Sequence, residues 1–208
     1  MNILTNNLMR KGYLRTTSII EAFGNVERID FVLPELELSA NADVPLPIGY
    51  GQTISQPTTV AIMMELLDPR EGHKILDIGS GSGWTTALLA YIVGDKGKVI
   101  SLERIKELCD FGRKNVKKIR KIGKEVTEFY NINGSLGYPQ RAPYDRILVS
   151  ASAKEIPQEL KDQLRVGGKL VIPVHNYLHY LEKRGENEFY EEEYPGFTFV
   201  PLIDKGSF

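Results

Sequence analysis

A glycine-rich turn that directly follows an apolar strand pattern constrains this chain more than any other feature. The stretch Lys74–Ile78 is a short apolar run of strand type, and Gly79, Gly81 and Gly83 follow it at alternate positions. Glycine adopts backbone conformations that other residues avoid, so the chain can turn sharply and a ligand can approach the backbone closely. The pattern predicts a parallel strand that ends at a nucleotide-type binding site.

Short apolar runs alternate with longer helical patterns through the middle of the chain. Strands are predicted at residues 74–78, 99–102, 129–132, 146–150 and 170–174, and helices at residues 85–93, 104–121 and 157–164. Strict alternation requires crossover connections and therefore a mainly parallel sheet with helices on both faces. We expect a doubly wound α/β fold.

The region before the glycine turn has no strand alternation. Scattered apolar residues up to Pro34 predict an irregular helical cap. Residues 45–56 contain two prolines and two glycines, which predicts a loop without regular structure. Pro57 is well placed as the first residue of a helix that ends near Leu67, with Ser55 or Gln56 at the cap position.

The last part of the chain predicts an antiparallel hairpin at the edge of the sheet. Its two arms are expected at residues 177–184 and 197–203, with an acidic, glycine-containing stretch between them. The expected organisation is a single domain over residues 1–208. It comprises a helical cap and loop at 1–56, a core at 57–174 and the edge hairpin at 175–208.

Composition excludes several classes of protein. The 208 residues carry 26 Lys and Arg against 27 Asp and Glu, which disfavours a dedicated nucleic-acid binder. The longest apolar run has seven residues, no secretory signal pattern begins the chain, and Cys109 is the only cysteine. We expect a cytoplasmic monomer with no membrane partner and no disulfide bond.

The spacing of the turn distinguishes between nucleotide cofactors. A dinucleotide fingerprint requires a third glycine where Trp84 stands. The spacing that begins at Asp77 instead resembles that of S-adenosylmethionine-dependent methyltransferases, with a Rossmann-like fold. Glu103 ends the second strand, where a carboxylate can accept both ribose hydroxyls. The predicted cofactor residues here are Asp77, Gly79, Ser80, Gly81, Ser82, Gly83 and Glu103. The alternative is a plain strand-to-helix turn with a solvated Glu103.

The segment PLPIGYGQTISQP at residues 45–57 resembles the substrate loop of protein-L-isoaspartate O-methyltransferases. Further similarity runs through the glycine turn and residues 166–174, so the resemblance covers roughly residues 2–174. It implies methyl transfer from S-adenosylmethionine to the free carboxylate of isoaspartyl residues in damaged proteins, which is a protein-repair reaction. It also implies a substrate loop of Gln52, Thr53, Ile54 and Ser55, and cofactor contacts at Asn133 and Gly134.

The chain departs from the family pattern at three places. Asn133 stands where the family has the aspartate that contacts adenine, and an amide oxygen can still accept from the adenine amino group. His175 follows Pro173 and Val174 where the family has glycine, and the segment beyond Tyr180 shows no residue match. Two rival functions therefore stay open: a methyltransferase with a different acceptor, and a cofactor-binding module without turnover.

Methyl transfer to a carboxylate needs alignment and no general base. A carboxyl group has a pKa of about 4 and is already ionised at neutral pH. Ser55 is the predicted catalytic residue because its hydroxyl can orient the acceptor carboxylate; its alternative role is a helix cap. Asp77 either complements the cationic end of the cofactor or binds turn amides. His175 and His179 have no carboxylate at a suitable spacing, so no metal is expected.

Overall fold

The computed structural model describes residues 2–203. Its helices are α1 (Ile3–Arg10), α2 (Thr17–Asn25), α3 (Pro57–Leu67), α4 (Trp84–Val93), α5 (Lys106–Val116) and α6 (Gln158–Asp162). Its strands are β1 (Leu46–Gly49), β2 (Gln52–Ile54), β3 (Lys74–Ile78), β4 (Lys98–Glu103), β5 (Thr127–Asn131), β6 (Tyr144–Val149), β7 (Leu164–Val174), β8 (Tyr177–Lys183) and β9 (Phe189–Pro195). Within residues 2–203, no helix combines the length and the apolar character that crossing a membrane requires.

A seven-stranded sheet in the order β5-β4-β3-β6-β7-β8-β9 forms the centre of the fold. The first five strands in this order pair in parallel, and β8 and β9 continue the sheet antiparallel to β7. The strand order reverses at β3, which lies between β4 and β6. Ligands of open α/β sheets bind at the carboxyl ends of the strands beside such a reversal. The predicted fold class is confirmed.

Two apolar clusters cover opposite faces of this sheet. Ile75 and Leu148 pack in one cluster with the helices α2, α3 and α4, and Leu76 and Ile147 pack in the other with α6. Successive side chains of a strand point to opposite faces of the sheet. Ile75 and Leu148 therefore face one cluster, and their neighbours Leu76 and Ile147 face the other. This two-sided burial explains the almost continuous apolar runs in the sequence.

Helix boundaries agree with the sequence patterns where a strong local signal marks them. Helix α3 begins at Pro57 and ends at Leu67, as predicted. The predicted helix at residues 104–121 ends at Val116, because the next amides bond three residues back, as in Lys118 N to Asn115 O at 3.0 Å. A short 3₁₀-type turn therefore replaces its last part.

The prediction of an irregular loop at residues 45–56 was wrong. β1 and β2 pair antiparallel, with Leu46 opposite Ile54. Gly49, Tyr50 and Gly51 connect them with positive φ angles of 92°, 55° and 70°, a conformation that glycine supplies at low cost. The prolines and glycines that suggested an irregular loop in fact accompany a short hairpin.

The second arm of the C-terminal hairpin was also placed wrongly. The strand that pairs with β8 is the acidic stretch Phe189–Pro195, and residues 197–203 form no strand with it. Charged side chains suit an exposed sheet edge because they discourage pairing with other chains. The apolar residues Phe197, Phe199 and Leu202 instead pack against the two core clusters, so this segment crosses the end of the sheet.

Candidate functional site

The glycine turn joins β3 to α4 in a conformation that requires glycine. Gly79, Gly81 and Gly83 have φ angles of 77°, 50° and 88°. A Cβ on Gly83 would lie 2.8 Å from the backbone oxygen of Gly112, and one on Gly81 would lie 3.1 Å from the Ile48 side chain. The turn is therefore pressed between α5 and the hairpin, and its backbone is exposed to a ligand.

A cavity opens at the carboxyl ends of β3, β4 and β5, where the strand order reverses. Five of the predicted cofactor residues line it: Gly79, Gly81, Glu103, Asn133 and Gly134. Gln52 and Thr53 of β2 form another wall, and Val200, Pro201, Leu202 and Ile203 close it from outside. Ser80 and Ser82 line a smaller cavity beside it, together with Ser55.

Glu103 connects the turn to the helix that follows β4. Its Oε2 accepts a hydrogen bond from Gly81 N at 3.0 Å, and its Oε1 accepts one from Ile105 N at 2.9 Å. The side chain is nearly buried, yet it lines the cavity. Each carboxylate oxygen has two lone pairs, so Glu103 can still accept ligand hydroxyls.

Asp77 lies fully buried beneath the turn. Its Oδ2 accepts hydrogen bonds from Thr85 and Thr86, at 3.1 and 2.6 Å. Burial raises the pKa of Asp77 to about 6, against the effect of the two threonines. The alternative that Asp77 binds turn amides is wrong, because both of its partners are side chains of α4. Within residues 2–203 its Oδ1 has no hydrogen-bond partner.

These features fit the cofactor that the sequence pattern implies. The glycines of the turn leave the cavity open, the Glu103 carboxylate lines it at the end of β4, and the buried Asp77 has one oxygen without a hydrogen-bond partner among the described residues. A nucleoside ligand that carries a sulfonium cation and no phosphate requires carboxylates and backbone groups rather than cationic side chains. The residues present therefore fit S-adenosylmethionine.

Ser55 lies between the glycine turn and an outer groove. It lines the small cavity with Ser80, and it also lines a groove of about 460 Å³ together with Thr59, Ser150 and Thr198. Its hydroxyl makes no hydrogen bond with any described residue. The side chain can therefore reach a group bound in either space.

The predicted cap position at Gln56 is confirmed, and the alternative that the Ser55 side chain caps helix α3 is wrong. Gln56 occupies the cap position without a side-chain hydrogen bond. Asp43 supplies the cap from a preceding segment, since its Oδ1 accepts from Thr58 N at 2.9 Å and its Oδ2 from Thr58 Oγ1 at 2.6 Å. The Ser55 hydroxyl is thus not needed to begin the helix.

Sequence reasoning missed the role of Arg28. This buried guanidinium donates to the backbone oxygens of Ala40, Ala42, Val44 and Ser55, at 2.9 to 3.2 Å. Desolvation lowers its pKa to about 10. The arginine therefore fastens the segment before the hairpin to the residue that follows it. Glu27 and Asp30 lie beside it in the sequence, so nothing in the local pattern indicated that the arginine is buried.

Ser150 was the second residue without a predicted role. It follows β6 directly, and it lines the cofactor cavity, the small cavity and the outer groove. The sequence pattern included it as the last residue of a strand. Its place beside the end of β3 follows from sheet order, which periodicity does not reveal.

The two histidines lie apart from these cavities. His175 has a φ of 53° in the turn between β7 and β8. His179 Nδ1 lies 2.8 Å from Glu191 Oε1 and 3.7 Å from Glu193 Oε1. These carboxylates come from the paired strand β9, so no spacing in the sequence could reveal them. The absence of a resident metal stays a prediction.

Asn133 has two hydrogen bonds that the sequence did not indicate. Its Oδ1 accepts from Ser135 N at 2.9 Å, and its Nδ2 donates to Ile203 O at 2.9 Å. The side chain lines the cavity, so its predicted contact with adenine stays a prediction. Its amide nitrogen is already bonded to the C-terminal segment.

Known proteins resemble this chain over nearly its whole length. The model of the Protein-L-isoaspartate(D-aspartate) O-methyltransferase family matches residues 1–207, beyond the region of the sequence resemblance. The protein-L-isoaspartate O-methyltransferase of Methanopyrus kandleri is 46% identical, over 99% of this chain and 92% of the relative. That of Methanothrix thermoacetophila is 47% identical, over 91% of this chain and 90% of the relative.

Solved structures lead to the same family. A Plasmodium falciparum protein assigned to this class of methyltransferase, in complex with S-adenosyl-L-homocysteine, is 28% identical with a TM-score of 0.84, and 96% of each chain is covered. A second protein-L-isoaspartate O-methyltransferase is 26% identical with a TM-score of 0.86, over 97% of this chain and 65% of that one.

Proposed function

Because the chain belongs to the protein-L-isoaspartate (D-aspartate) O-methyltransferase family, we propose that it methylates the free carboxylate of isoaspartyl residues in damaged proteins or peptides. The methyl donor is S-adenosylmethionine, and the product is S-adenosylhomocysteine. One observation carries the proposal: Ser55 stands between the glycine turn and the outer groove. A peptide in the groove can present its carboxylate to the cofactor there.

Different residues of the site contact different parts of the cofactor. The backbone of Gly79, Gly81 and Gly83 admits its central part, with Ser80 and Ser82 beside the methionine portion. Glu103 accepts from the ribose hydroxyls, and Asn133 and Gly134 border the adenine. Asp77 provides negative charge beneath the cationic end. When bound, the cofactor supplies an electrophilic methyl group on a sulfonium.

The substrate side of the site aligns the acceptor. Ser55 Oγ donates a hydrogen bond to one carboxylate oxygen and leaves the other oxygen free to attack. The backbone of Gln52, Thr53 and Ile54 holds the peptide along β2. No residue of the chain would have to move a proton, because the acceptor carboxylate is already ionised at neutral pH and a sulfonium donor would leave as a neutral thioether. Alignment of reacting groups can contribute about 7–11 kcal/mol.

The decisive experiment compares two peptides that differ in one linkage. The protein is incubated with labelled S-adenosylmethionine and matched aspartyl and isoaspartyl peptides. We expect methylation of the isoaspartyl peptide to exceed that of the aspartyl peptide by about 100-fold, since a displacement of about 1 Å can cost that much. Equal methylation of both would favour a different acceptor. Cofactor binding without any transfer would favour a binding module.

Further expectations accompany this proposal. We expect a cytoplasmic monomer that binds neither nucleic acid nor membranes, which light scattering and binding assays test. We also expect one folding unit over residues 1–208, with parts at 1–56, 57–174 and 175–208; residues 1 and 204–208 lie outside the described part. A single cooperative unfolding transition would support this organisation.

A further inference from the structure

Residues 196–203 form a segment, the C-terminal strap, that crosses the carboxyl end of the sheet. Its first residues, Gly196 and Phe197, donate to Asn176 O at 3.0 and 3.1 Å. Farther along, Val200 O accepts from Ser152 N and Leu202 N donates to Ser152 O, both at 2.8 Å. The strap is thus attached at its beginning and near its end.

The end of the strap forms the outer wall of the cofactor cavity. Val200, Pro201, Leu202 and Ile203 all line it. The cavity holds only about 60 Å³, whereas pockets for drug-sized ligands have about 300–1,000 Å³. An adenosine derivative needs more space than this, so a wall of the cavity has to move outward when such a ligand binds.

Asn133 provides the side-chain bond that holds the strap at its last described residue. Its Nδ2 donates to Ile203 O while its Oδ1 accepts from Ser135 N. The two partners determine the orientation of the amide, because the nitrogen only donates and the oxygen only accepts. An aspartate here would keep the bond from Ser135 and would place a carboxylate oxygen against the Ile203 carbonyl.

We propose that Asn133 is a positioning residue that latches the C-terminal strap over the cofactor cavity and thereby sets the rate of cofactor and product exchange. The proposal rests on the proposed function in one respect, the location of the cofactor. Few hydrogen bonds hold the strap, and its residues are half-buried or exposed. Segments of this kind open locally at low cost in free energy, so one added bond has a large effect on opening.

The test measures release of labelled S-adenosylhomocysteine from four proteins: the wild type, Asn133→Asp, a chain that ends at Val200, and the combination of both changes. We expect Asn133→Asp to release the ligand about 5- to 30-fold faster, because the variant loses the hydrogen bond to Ile203 and places a carboxylate oxygen against the Ile203 carbonyl oxygen. The shortened chain should also release it faster. In the shortened chain, Asn133→Asp should not increase the release rate further, because Ile203, the residue that Asn133 bonds, is absent.

A second measurement needs no ligand. Hydrogen exchange of the Leu202 amide should accelerate in Asn133→Asp, while that of Gly196 should not change. Asn131→Asp is the matched control, since Asn131 ends β5 and its Nδ2 donates to Glu103 O and Arg104 O, both at 2.9 Å, and not to the strap. This variant should leave the Leu202 exchange rate as in the wild type.

The outcomes separate the latch from the cofactor site. Unchanged release and unchanged Leu202 exchange in Asn133→Asp would overturn the latch. Slower release would also overturn it, since the residue would then contact adenine. If the wild type binds no S-adenosylhomocysteine, the cofactor site fails, and Leu202 exchange still decides whether Asn133 holds the strap.

Discussion

Individual side chains in the site have separable tasks, because each has different partners. The Ser55 hydroxyl has no hydrogen bond among residues 2–203 and lies between the small cavity and the outer groove. Glu103 joins the glycine turn to α5, and Asp77 is buried beneath the turn. Substitution of each residue should therefore change a different measured quantity.

Ser55→Ala should lower methyl transfer and leave cofactor affinity and stability nearly unchanged, because Asp43 and not Ser55 caps α3. Asp43→Ala is the control and should reduce the free energy of unfolding by about 1 kcal/mol. Peptide kinetics, cofactor calorimetry and urea denaturation measure the three quantities. A destabilised Ser55→Ala with normal kinetics would contradict the orienting role.

Glu103→Ala should weaken cofactor binding by about 10- to 150-fold, since a charged acceptor for two hydroxyls contributes about 1.5–3 kcal/mol. Glu103→Gln should weaken it less, because one oxygen remains. Calorimetry with S-adenosylhomocysteine measures both constants. An unchanged constant in a folded Glu103→Ala protein would place the ribose elsewhere.

Asp77 should make stability depend on pH between about 4 and 6. Its folded pKa of about 6 lies above the usual unfolded value of about 3.9, so in this window the folded state binds the extra proton. Stability from this group is therefore present at low pH and is lost as the pH rises through 6.

Asp77→Asn removes that titration. The unfolding free energy of the variant relative to the wild type should rise by about 2 kcal/mol from pH 4 to pH 7. Urea denaturation of both proteins at the two pH values measures this difference. Subtracting the wild-type value removes the contribution of the other carboxyl groups, which both proteins share. A constant difference would show that Asp77 titrates normally.

At the scale of elements, the site depends on two turns that need positive φ angles for different reasons. Gly51 closes the β1–β2 hairpin with φ at 70° and open space around it. Gly83 begins α4 with φ at 88° and lies against Gly112. The first turn needs glycine only for its backbone conformation, whereas the second also needs a residue without a side chain.

Gly51→Ala should therefore cost about 1–2 kcal/mol of stability through backbone strain alone. Gly83→Ala should cost about 3–4 kcal/mol, because its Cβ also meets backbone atoms that cannot rotate away. Denaturant unfolding measures the loss of stability in each variant, and equal losses would contradict this prediction. Cofactor affinity should fall only in Gly83→Ala.

At the scale of the whole molecule, the site combines three distant parts of the chain. The hairpin comes from the N-terminal part, the glycine turn from the sheet, and the strap from the C-terminal part. Arg28 connects the first two, since it bonds backbone oxygens on both sides of the hairpin and lies over the Trp84 ring at 5.4 Å.

Arg28→Lys keeps the charge and cannot reach all four carbonyl groups. We expect a loss of about 2–4 kcal/mol of stability, since buried acceptors lose their donors. The peptide KM should rise more than the cofactor Kd, because Arg28 bonds the backbone of Ser55 directly and meets the glycine-turn side only through the Trp84 ring. If Arg28→Lys is as stable as the wild type, the four hydrogen bonds of the guanidinium group are not required for stability.

The sequence by itself determined the features that local chemistry controls. The apolar periods, the glycines after β3 and Pro57 at the start of α3 act within a few residues, so the parallel sheet, the turn and the helix Pro57–Leu67 were all predicted. The family was predicted from the stretch at residues 45–57. Its hairpin was not, because glycines and prolines mark both hairpins and irregular loops.

Only the tertiary structure decided which distant groups meet. Asp43 caps a helix 15 residues away, and Asn133 bonds the strap 70 residues away. His179 meets two carboxylates only because β8 pairs with β9. A single sequence shows the properties of each residue and not its partners, since the pairing depends on packing the whole chain into one core.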